Sequence, residues 1–344
     1  MTADKKKLAP LLPDRYPQRE LFLCDVSDAV IKGDQASLEH PVFSLSKKPD
    51  MEVKIYENNG NTLQVIPSFH GHATIYDKDV LTYAVSKIMQ AKKEGKEISP
   101  NVVFEAQDAL KFMNRSSGGR EYRALEKALM RLQGTQLKTD IKTGDEIQTD
   151  IFGLLDRAKI HRKHGDGRVL SWGVTVSDWV FNAIVANEVL TLHPQYFRLR
   201  RPIDKRIYEI ARKHCGNQKQ WSISLELLKK KSGWVGTIRL LRGIVRGLAE
   251  SQHLPDYNIA IDDRDMVLFT NHAKQEQIAA TTAAIRLKPD TYEIARREAP
   301  TWDVYHLENL WRSWINDGGL EIPKYPDKAF LGFCRRYYQR NGDA

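Results

Sequence analysis

Two series of basic residues have the spacing of one face of an α-helix and the chemistry to contact DNA. The first series is Arg120, Arg123, Lys127 and Arg131, and the second is Arg239, Arg242 and Arg246. Successive members stand three or four residues apart, so each series lies opposite the apolar stripe of its helix. An arginine guanidinium can donate two hydrogen bonds to O6 and N7 of guanine, and all these cations can neutralise phosphates.

Small residues accompany both series. Ala124 and Ala128 lie in the first helix, and Gly243 and Gly247 lie in the second. Short side chains leave room for close backbone approach, although glycine costs helix stability. A single basic face is also typical of a solvated amphipathic helix. The same spacing in two helices with the same neighbouring elements favours nucleic-acid binding.

Residues that flank the two helices extend the candidate set. These are Arg115, Ser117, Thr237, Lys229, Lys230 and Lys231. The serines of the turn before the first helix are expected to cap it. The three lysines end a predicted helix, where they either clamp a phosphate or simply place favourable charge at a helix C-terminus. The sequence is compatible with both interpretations.

The elements around the first series follow a helix-turn-helix order. Apolar spacing predicts helices over Asp77–Lys93, Glu105–Met113 and Arg120–Gln133, with a short strand at Asn101–Phe104. Strands are predicted next at 135–141 and 147–152, and then at 157–163 and 169–174. With the first two of these strands as its hairpin, the order is that of a winged helix-turn-helix.

The same order recurs downstream. Helices are predicted at 204–213, 225–231 and 237–252, with a short strand at 221–224 and a hairpin over 257–269. A repeated arrangement is more informative than either copy alone. The predicted fold is therefore α+β, with two tandem winged helix-turn-helix domains at 19–176 and 177–272 and a small helical C-terminal module at 290–344.

Composition is consistent with this organisation. The 344 residues are 41% hydrophobic and 28% charged, which excludes a wholly disordered chain, a collagen-like chain and a membrane bundle. We expect residues 1–18 to be a disordered basic tail and 273–289 to be a linker. The three cysteines are far apart, which argues against a disulfide framework and fits a reducing cytoplasm.

The positive charge is concentrated in one segment. The chain carries a net charge of +9, and residues 196–253 alone carry +10. A basic excess confined in this way is typical of a surface that binds a polyanion.

The C-terminal module is rich in aromatic residues, and three interpretations of them remain open. Phe330, Phe333, Cys334 and Tyr337 follow core periodicity, yet aromatic residues beside arginines also suit stacking on single-stranded DNA. Residues 273–344 carry a net charge of only +1, less than a dedicated single-strand groove would normally have, and the third interpretation, docking of a host replication protein, is implied only by a family resemblance.

Signals for catalysis are weak. His70 and His72 resemble the histidine motif of metal-dependent rolling-circle nicking enzymes, but a glycine stands between them and no Tyr-x-x-Lys follows. Neither a P-loop nor a zinc pattern occurs. We expect a protein that is not an enzyme and needs no cofactor and no metal.

Several segments resemble the plasmid replication initiator protein A family, whose members are theta-type initiators with tandem winged helices. These segments are His40–Lys48, Ala73–Tyr83 and Arg115–Tyr122, and the resemblance covers residues 19–272. It implies binding to repeated origin sequences (iterons) in double-stranded DNA and opening of the duplex. It also implies recruitment of a host initiator and the replicative helicase, and an autorepressing homodimer.

The sequence thus predicts a cytoplasmic, sequence-specific DNA-binding initiator of plasmid replication. A winged-helix transcriptional repressor is the alternative, because repression would use the same DNA contacts. A nickase is the enzymatic alternative.

Overall fold

The protein is described by a computed structural model that covers residues 9–16, 21–24, 41–46, 48–58, 61–143, 146–165, 169–186, 188–216, 218–272, 285–318 and 323–342. Its helices are α1 (Ile75–Lys93), α2 (Ala106–Phe112), α3 (Gly119–Gly134), α4 (Asp178–Val185), α5 (Pro202–His214), α6 (Leu225–Ser232), α7 (Ile238–Ser251), α8 (Pro289–Glu298), α9 (Val304–Gly318) and α10 (Pro326–Asn341). Its strands are β1 (Leu21–Cys24), β2 (Lys54–Asn58), β3 (Asn61–Ile66), β4 (Asn101–Phe104), β5 (Gln136–Thr143), β6 (Glu146–Gly153), β7 (Leu155–Arg162), β8 (Val169–Val176), β9 (Val189–Leu192), β10 (Gln220–Ser224), β11 (Tyr257–Ile261) and β12 (Met266–Asn271). The α+β prediction is confirmed.

Helix α1 begins at a capping box. The Asp77 backbone N–H donates to Thr74 Oγ1 at 3.3 Å, and the Thr74 N–H donates to Asp77 Oδ2 at 2.8 Å. Tyr83 on the buried face packs edge-on against Phe104 and Phe112, with ring centroids 5.1 Å away in each case. These contacts join α1 to the short strand and the helix that follow it.

The hairpin that completes the first copy is β7–β8. Strand β4 pairs with β8, and β8 pairs with β7, in the order β4-β8-β7. The prediction that β5 and β6 form this hairpin is wrong. These strands instead join β2 and β3 in a separate sheet of order β2-β3-β5-β6, because Leu137 of β5 is fully buried beside Val65 of β3.

The second copy repeats the arrangement. Helices α5, α6 and α7 are interrupted by β10, and the strand order is β10-β12-β11. Helix α6 ends at Gly233, which has a φ of +70°. A Cβ at Gly233 would lie 2.6 Å from Pro41 Cβ, so this position needs glycine both for its backbone conformation and for its close packing.

A buried ion-pair network joins the two copies within one compact unit. Lys205 Nζ of α5 donates to both carboxylate oxygens of Asp79 in α1, at 2.7 and 2.8 Å. Lys78 Nζ of α1 donates to Glu209 Oε2 of α5 at 2.9 Å. All four side chains are at most 4% exposed, and burial lowers the pKa of Lys205. A buried charge is tolerated when it is paired in this way, and removal of one partner leaves the other uncompensated.

Part of the expected N-terminal tail is held in place. Leu12 N donates to Arg198 O at 2.7 Å, and Arg15 N donates to Asn114 Oδ1 at 2.9 Å. Asn114 Nδ2 returns a hydrogen bond to Pro13 O at 2.9 Å. The prediction of a disordered tail is therefore wrong for residues 9–16, because their backbone polar groups find partners. Residues 1–8, 17 and 18 lie outside the described residues.

The second compact unit contains the C-terminal helices. Helices α8, α9 and α10 enclose a core that includes the fully buried Trp311, Phe330 and Cys334. Ile285 also belongs to this core, and Arg312 Nη2 donates to its carbonyl at 2.8 Å. The module thus includes residues that the sequence assigns to the linker. Residues 273–284 of that linker lie outside the described residues.

Candidate nucleic-acid interface

Helix α3 carries the first basic series, and three of its members are exposed. Arg120, Arg123 and Lys127 face solvent, and none of them makes an ion pair within the described residues. The N-cap is Gly118, which offers no side chain, so the expectation that serine caps this helix is wrong. Ser117 is exposed immediately before the helix. These residues remain available to a ligand.

Arg131 and Arg115 are committed to α1 instead. Arg131 Nε and Nη2 each donate to one oxygen of Asp77 at 2.7 Å, and this carboxylate raises the pKa of Arg131. Arg115 Nη2 donates to Asp79 Oδ2 at 3.0 Å and to Tyr76 O at 2.7 Å. Both were predicted to bind DNA. This stays a prediction, and in the structure each guanidinium is held by a buried carboxylate from a distant part of the chain.

Helix α7 carries the second basic series on a face with few side chains. Thr237 is the N-cap, and its Oγ1 accepts from Leu240 N at 3.3 Å. Arg239 and Arg246 are exposed. Between and beside them stand Gly243 and Gly247, where a Cβ would meet nothing within 4 Å. Packing inside the protein therefore gives no reason for these two glycines.

Arg242 belongs to the second series but is held by the following hairpin. Its Nε and Nη2 donate to the two carboxylate oxygens of Asp265 at 2.7 and 2.6 Å. This hydrogen-bonded pair raises the pKa of Arg242 and lowers the pKa of Asp265. Base recognition by Arg242 stays a prediction. In the structure its side chain joins α7 to the turn between β11 and β12.

The three lysines that end α6 have different surroundings. Lys231 is 7% exposed, and its Nζ lies 3.3 Å from His214 Nε2, so this lysine is largely buried in the structure. Lys229 is half-buried and Lys230 is exposed. For Lys229 and Lys230 both interpretations remain open, since they also lie in the last turn of α6.

Several exposed apolar residues near the basic series were not predicted. Ala128, expected on the outer face of α3, is 1% exposed and belongs to the core, whereas Met130 is 46% exposed. Beside the basic face of α7, Leu240 is 59% exposed, and Val235 in the preceding turn is 96% exposed. Ala128 follows the core residue Leu125 by three positions, so helical spacing alone predicts that both side chains face the core.

The hairpin β7–β8 supplies further cations. Arg157, Lys159 and His161 alternate along β7 and are exposed, as expected for residues on one face of a strand. Arg162 Nη2 donates to Glu126 Oε1 of α3 at 3.0 Å, which ties the hairpin to the basic helix. The sequence shows this period-two alternation, but it predicts the strands at 135–141 and 147–152 as the hairpin of the first copy.

The histidine pair offers no metal site. His72 is 2% exposed, and its Nε2 lies 2.6 Å from Glu52 O, whereas His70 is exposed. Among the residues that the structure describes, no three His, Cys, Asp or Glu side chains are grouped closely enough to hold a metal ion. Among those same residues, no helix has the length and apolarity that a membrane span requires.

Comparisons with known proteins identify the family. Residues 32–259 match the family model described as Replication initiator protein A. A curated relative from Wigglesworthia glossinidia brevipalpis, described as "Putative replication protein", is 34% identical over 275 residues, which cover 78% of this chain and 99% of the relative.

Two solved structures align with part of the chain. A crystal structure of RctB domains 2 and 3 aligns with a TM-score of 0.49 at 11% identity, covering 67% of this chain and 95% of that chain. A second, of a selenomethionine derivative of the same two domains, aligns with a TM-score of 0.48 at 14% identity, covering 72% and 98%. Both scores are too low to assign a fold. The family match and the 34% identical relative establish that the chain belongs to the replication initiator protein A family and is a replication initiator.

Proposed function

We propose that this initiator binds repeated origin sequences in double-stranded plasmid DNA through two winged helix-turn-helix domains. The observation that carries the proposal is a repeated arrangement. In each copy, a basic helix follows a turn and precedes the hairpin of a three-stranded sheet, and each helix exposes arginines without a carboxylate partner in the described residues. This is the position of a recognition helix.

The contacts divide between the helices and the first hairpin. We expect the exposed Arg123 of α3 and Arg246 of α7 to contact base edges, where a bidentate contact with guanine discriminates by about 1–3 kcal/mol. We expect the exposed Arg157 and Lys159 of β7 to neutralise phosphates, which fixes the register without reading sequence. Arg242 acts indirectly, because its pair with Asp265 sets the angle between α7 and its hairpin.

The ion-pair network between α1 and α5 supports binding by both helices at once. This network holds the two copies together within one compact unit, and its members are Lys205, Asp79, Lys78 and Glu209. We therefore expect the two recognition helices to keep a constant separation. Two helices that enter successive major grooves lie about one turn, roughly 10 bp, apart. We therefore expect a monomer to protect about 20 bp on one face of the duplex.

Later steps of initiation are proposals that the family membership supports. They are opening of the adjacent duplex, recruitment of the host initiator and replicative helicase, and formation of an autorepressing homodimer. All of them use binding and deformation without covalent chemistry, and we expect the protein to act in the cytoplasm.

Nuclease footprinting on the DNA that flanks the coding region, followed by titration of variants, tests the proposal. Arg123→Ala and Arg246→Ala should each weaken specific binding by about 1–3 kcal/mol. Arg296→Ala removes the same charge from the C-terminal module and is the matched control. If both test variants keep the affinity of the original protein, and their circular dichroism spectra show that they are folded, the assignment of these arginines to base recognition is refuted.

Two further assays separate the alternative functions. An initiator opens an AT-rich segment beside its repeats, which permanganate reactivity of unpaired thymines reports, whereas a repressor of the same fold leaves the segment paired. A nickase would relax supercoiled plasmid in the presence of Mg²⁺ or Mn²⁺. Relaxation under those conditions would contradict the proposal that this protein acts without covalent chemistry.

A further inference from the structure

A row of aromatic rings runs between α9 and α10 of the C-terminal module, outside its core. Trp314 and Phe333 have ring centroids 6.0 Å apart, Phe333 and Tyr337 are 5.7 Å apart, and Tyr337 and Trp302 are 5.0 Å apart. His306 stacks on Trp302 at 6.2 Å. The five rings therefore form a continuous series, which we call the aromatic row.

The aromatic row is accessible, unlike the core beneath it. Trp314 is 49% exposed, His306 is exposed, and the other three rings are half-buried. By contrast, Trp311 and Phe330 are fully buried. The module therefore uses one set of aromatic residues for packing and leaves a second set in contact with solvent.

Two arginines share a side of α10 with the aromatic row. Arg336 follows Phe333 by three residues and Arg340 follows Tyr337 by three, so each arginine lies on the same side of α10 as a ring of the aromatic row. Both arginines are exposed. Arg336 Nε donates to Gly332 O at 3.1 Å, and neither arginine pairs with a carboxylate of the described residues.

Carboxylates of the module are mostly committed elsewhere. Glu298 pairs with Arg335 at 2.8 Å, Glu308 pairs with Arg312 at 2.6 Å, and Glu293 pairs with Arg296 at 2.6 Å. Asp327 accepts hydrogen bonds from Lys288 N and Thr291 Oγ1. Each of these three pairs also occupies an arginine, so the positive charge that the aromatic row offers a ligand is that of Arg336 and Arg340.

We infer that the aromatic row and its two arginines bind single-stranded nucleic acid. A ligand for this surface must present flat faces to the rings and negative charge to the guanidiniums. Unpaired bases and the phosphates between them do both, whereas the bases of a duplex are hidden in the stack. This binding goes beyond the duplex recognition proposed above and uses different residues.

The test measures binding of the full chain to a labelled oligothymidylate of about 20 nucleotides, long enough for one such site. Trp314→Ala should weaken binding about tenfold, the effect of one lost stacking contact. Arg336→Ala/Arg340→Ala should weaken it at least as much and should lower the slope of log affinity against log salt by about 1.4, since two phosphates lose their cations. Duplex affinity should be unchanged in both variants.

Tyr305→Ala is the matched control. Tyr305 is 57% exposed on the same helix as Trp314, but its ring packs on Tyr292, outside the aromatic row. Loss of oligothymidylate binding in the control as well would contradict the assignment.

Two other outcomes would overturn the inference. One is unchanged oligothymidylate affinity and salt slope in Arg336→Ala/Arg340→Ala, a surface variant that does not depend on the core for folding. If that variant nevertheless fails to support plasmid replication, the surface docks a protein. The other is a lower melting temperature in Trp314→Ala with normal binding while folded, which would assign the rings to packing alone.

Discussion

Gly243 and Gly247 allow stability and DNA binding to be separated with one pair of substitutions. Both lie in the interior of α7, and a Cβ at either position would meet no atom within 4 Å. Alanine is about 0.8–1.0 kcal/mol more favourable than glycine in a helix interior. Gly243→Ala/Gly247→Ala should therefore raise the free energy of unfolding by about 2 kcal/mol, or the melting temperature by about 4–8 °C.

The same variant should bind its duplex more weakly. Gly243 stands between Arg239 and Arg246 on the exposed face of α7, so a methyl group there projects toward the groove. Inserting methyl groups into a closely packed contact costs about 1–3 kcal/mol. We expect a loss of affinity in that range, measured by fluorescence anisotropy on the footprinted duplex.

Gly332→Ala is the control for the stability effect. Gly332 also lies inside a helix, and its added Cβ would meet only Arg336 Nη2, at 3.9 Å. This substitution should stabilise its helix without changing duplex affinity. If the double variant on α7 gains stability but keeps full affinity, this face does not approach DNA, and a fall in melting temperature would refute the helix argument itself.

Two further predictions concern the buried polar groups. Lys205→Met should lower the free energy of unfolding by at most about 3–5 kcal/mol, because the buried Asp79 loses its closest partner and, among the described residues, keeps only Arg115. Asp79→Leu/Lys205→Met should recover most of that loss in urea titrations. If Lys205→Met unfolds at the same urea concentration as the original protein, the argument that the buried Asp79 depends on Lys205 is refuted. Burial lowers the pKa of His72 from its usual 6.5, so the unfolded chain takes up the proton first and stability should be lost as the pH falls below about 6.5. His72→Gln should flatten this dependence in urea titrations between about pH 7.5 and about pH 5.5, and equal slopes in the two proteins would refute it.

Local sequence determined which segments are helices and strands in this protein. The helix predicted at Asp77–Lys93 is α1 (Ile75–Lys93), and the strand predicted at Asn101–Phe104 has the same bounds. The outward face of α7 was also predictable, because apolar residues at helical spacing must turn inward and leave Arg239 and Arg246 outside. Periodicity carries this information because neighbours three or four residues apart share a face.

Tertiary structure alone decided which cations are available. Arg131 and Arg242 belong to the two spaced series and Arg115 precedes the first, but carboxylates from distant segments hold all three. In the same way, β5–β6 and β7–β8 both alternate as hairpins should, and only the pairing of β4 with β8 selects the second. Helical and strand periods indicate which way a side chain points. Its partner depends on which distant segment of the chain packs beside it. Whether a cation stays available to a ligand or closes the fold therefore depends on contacts that no local pattern contains.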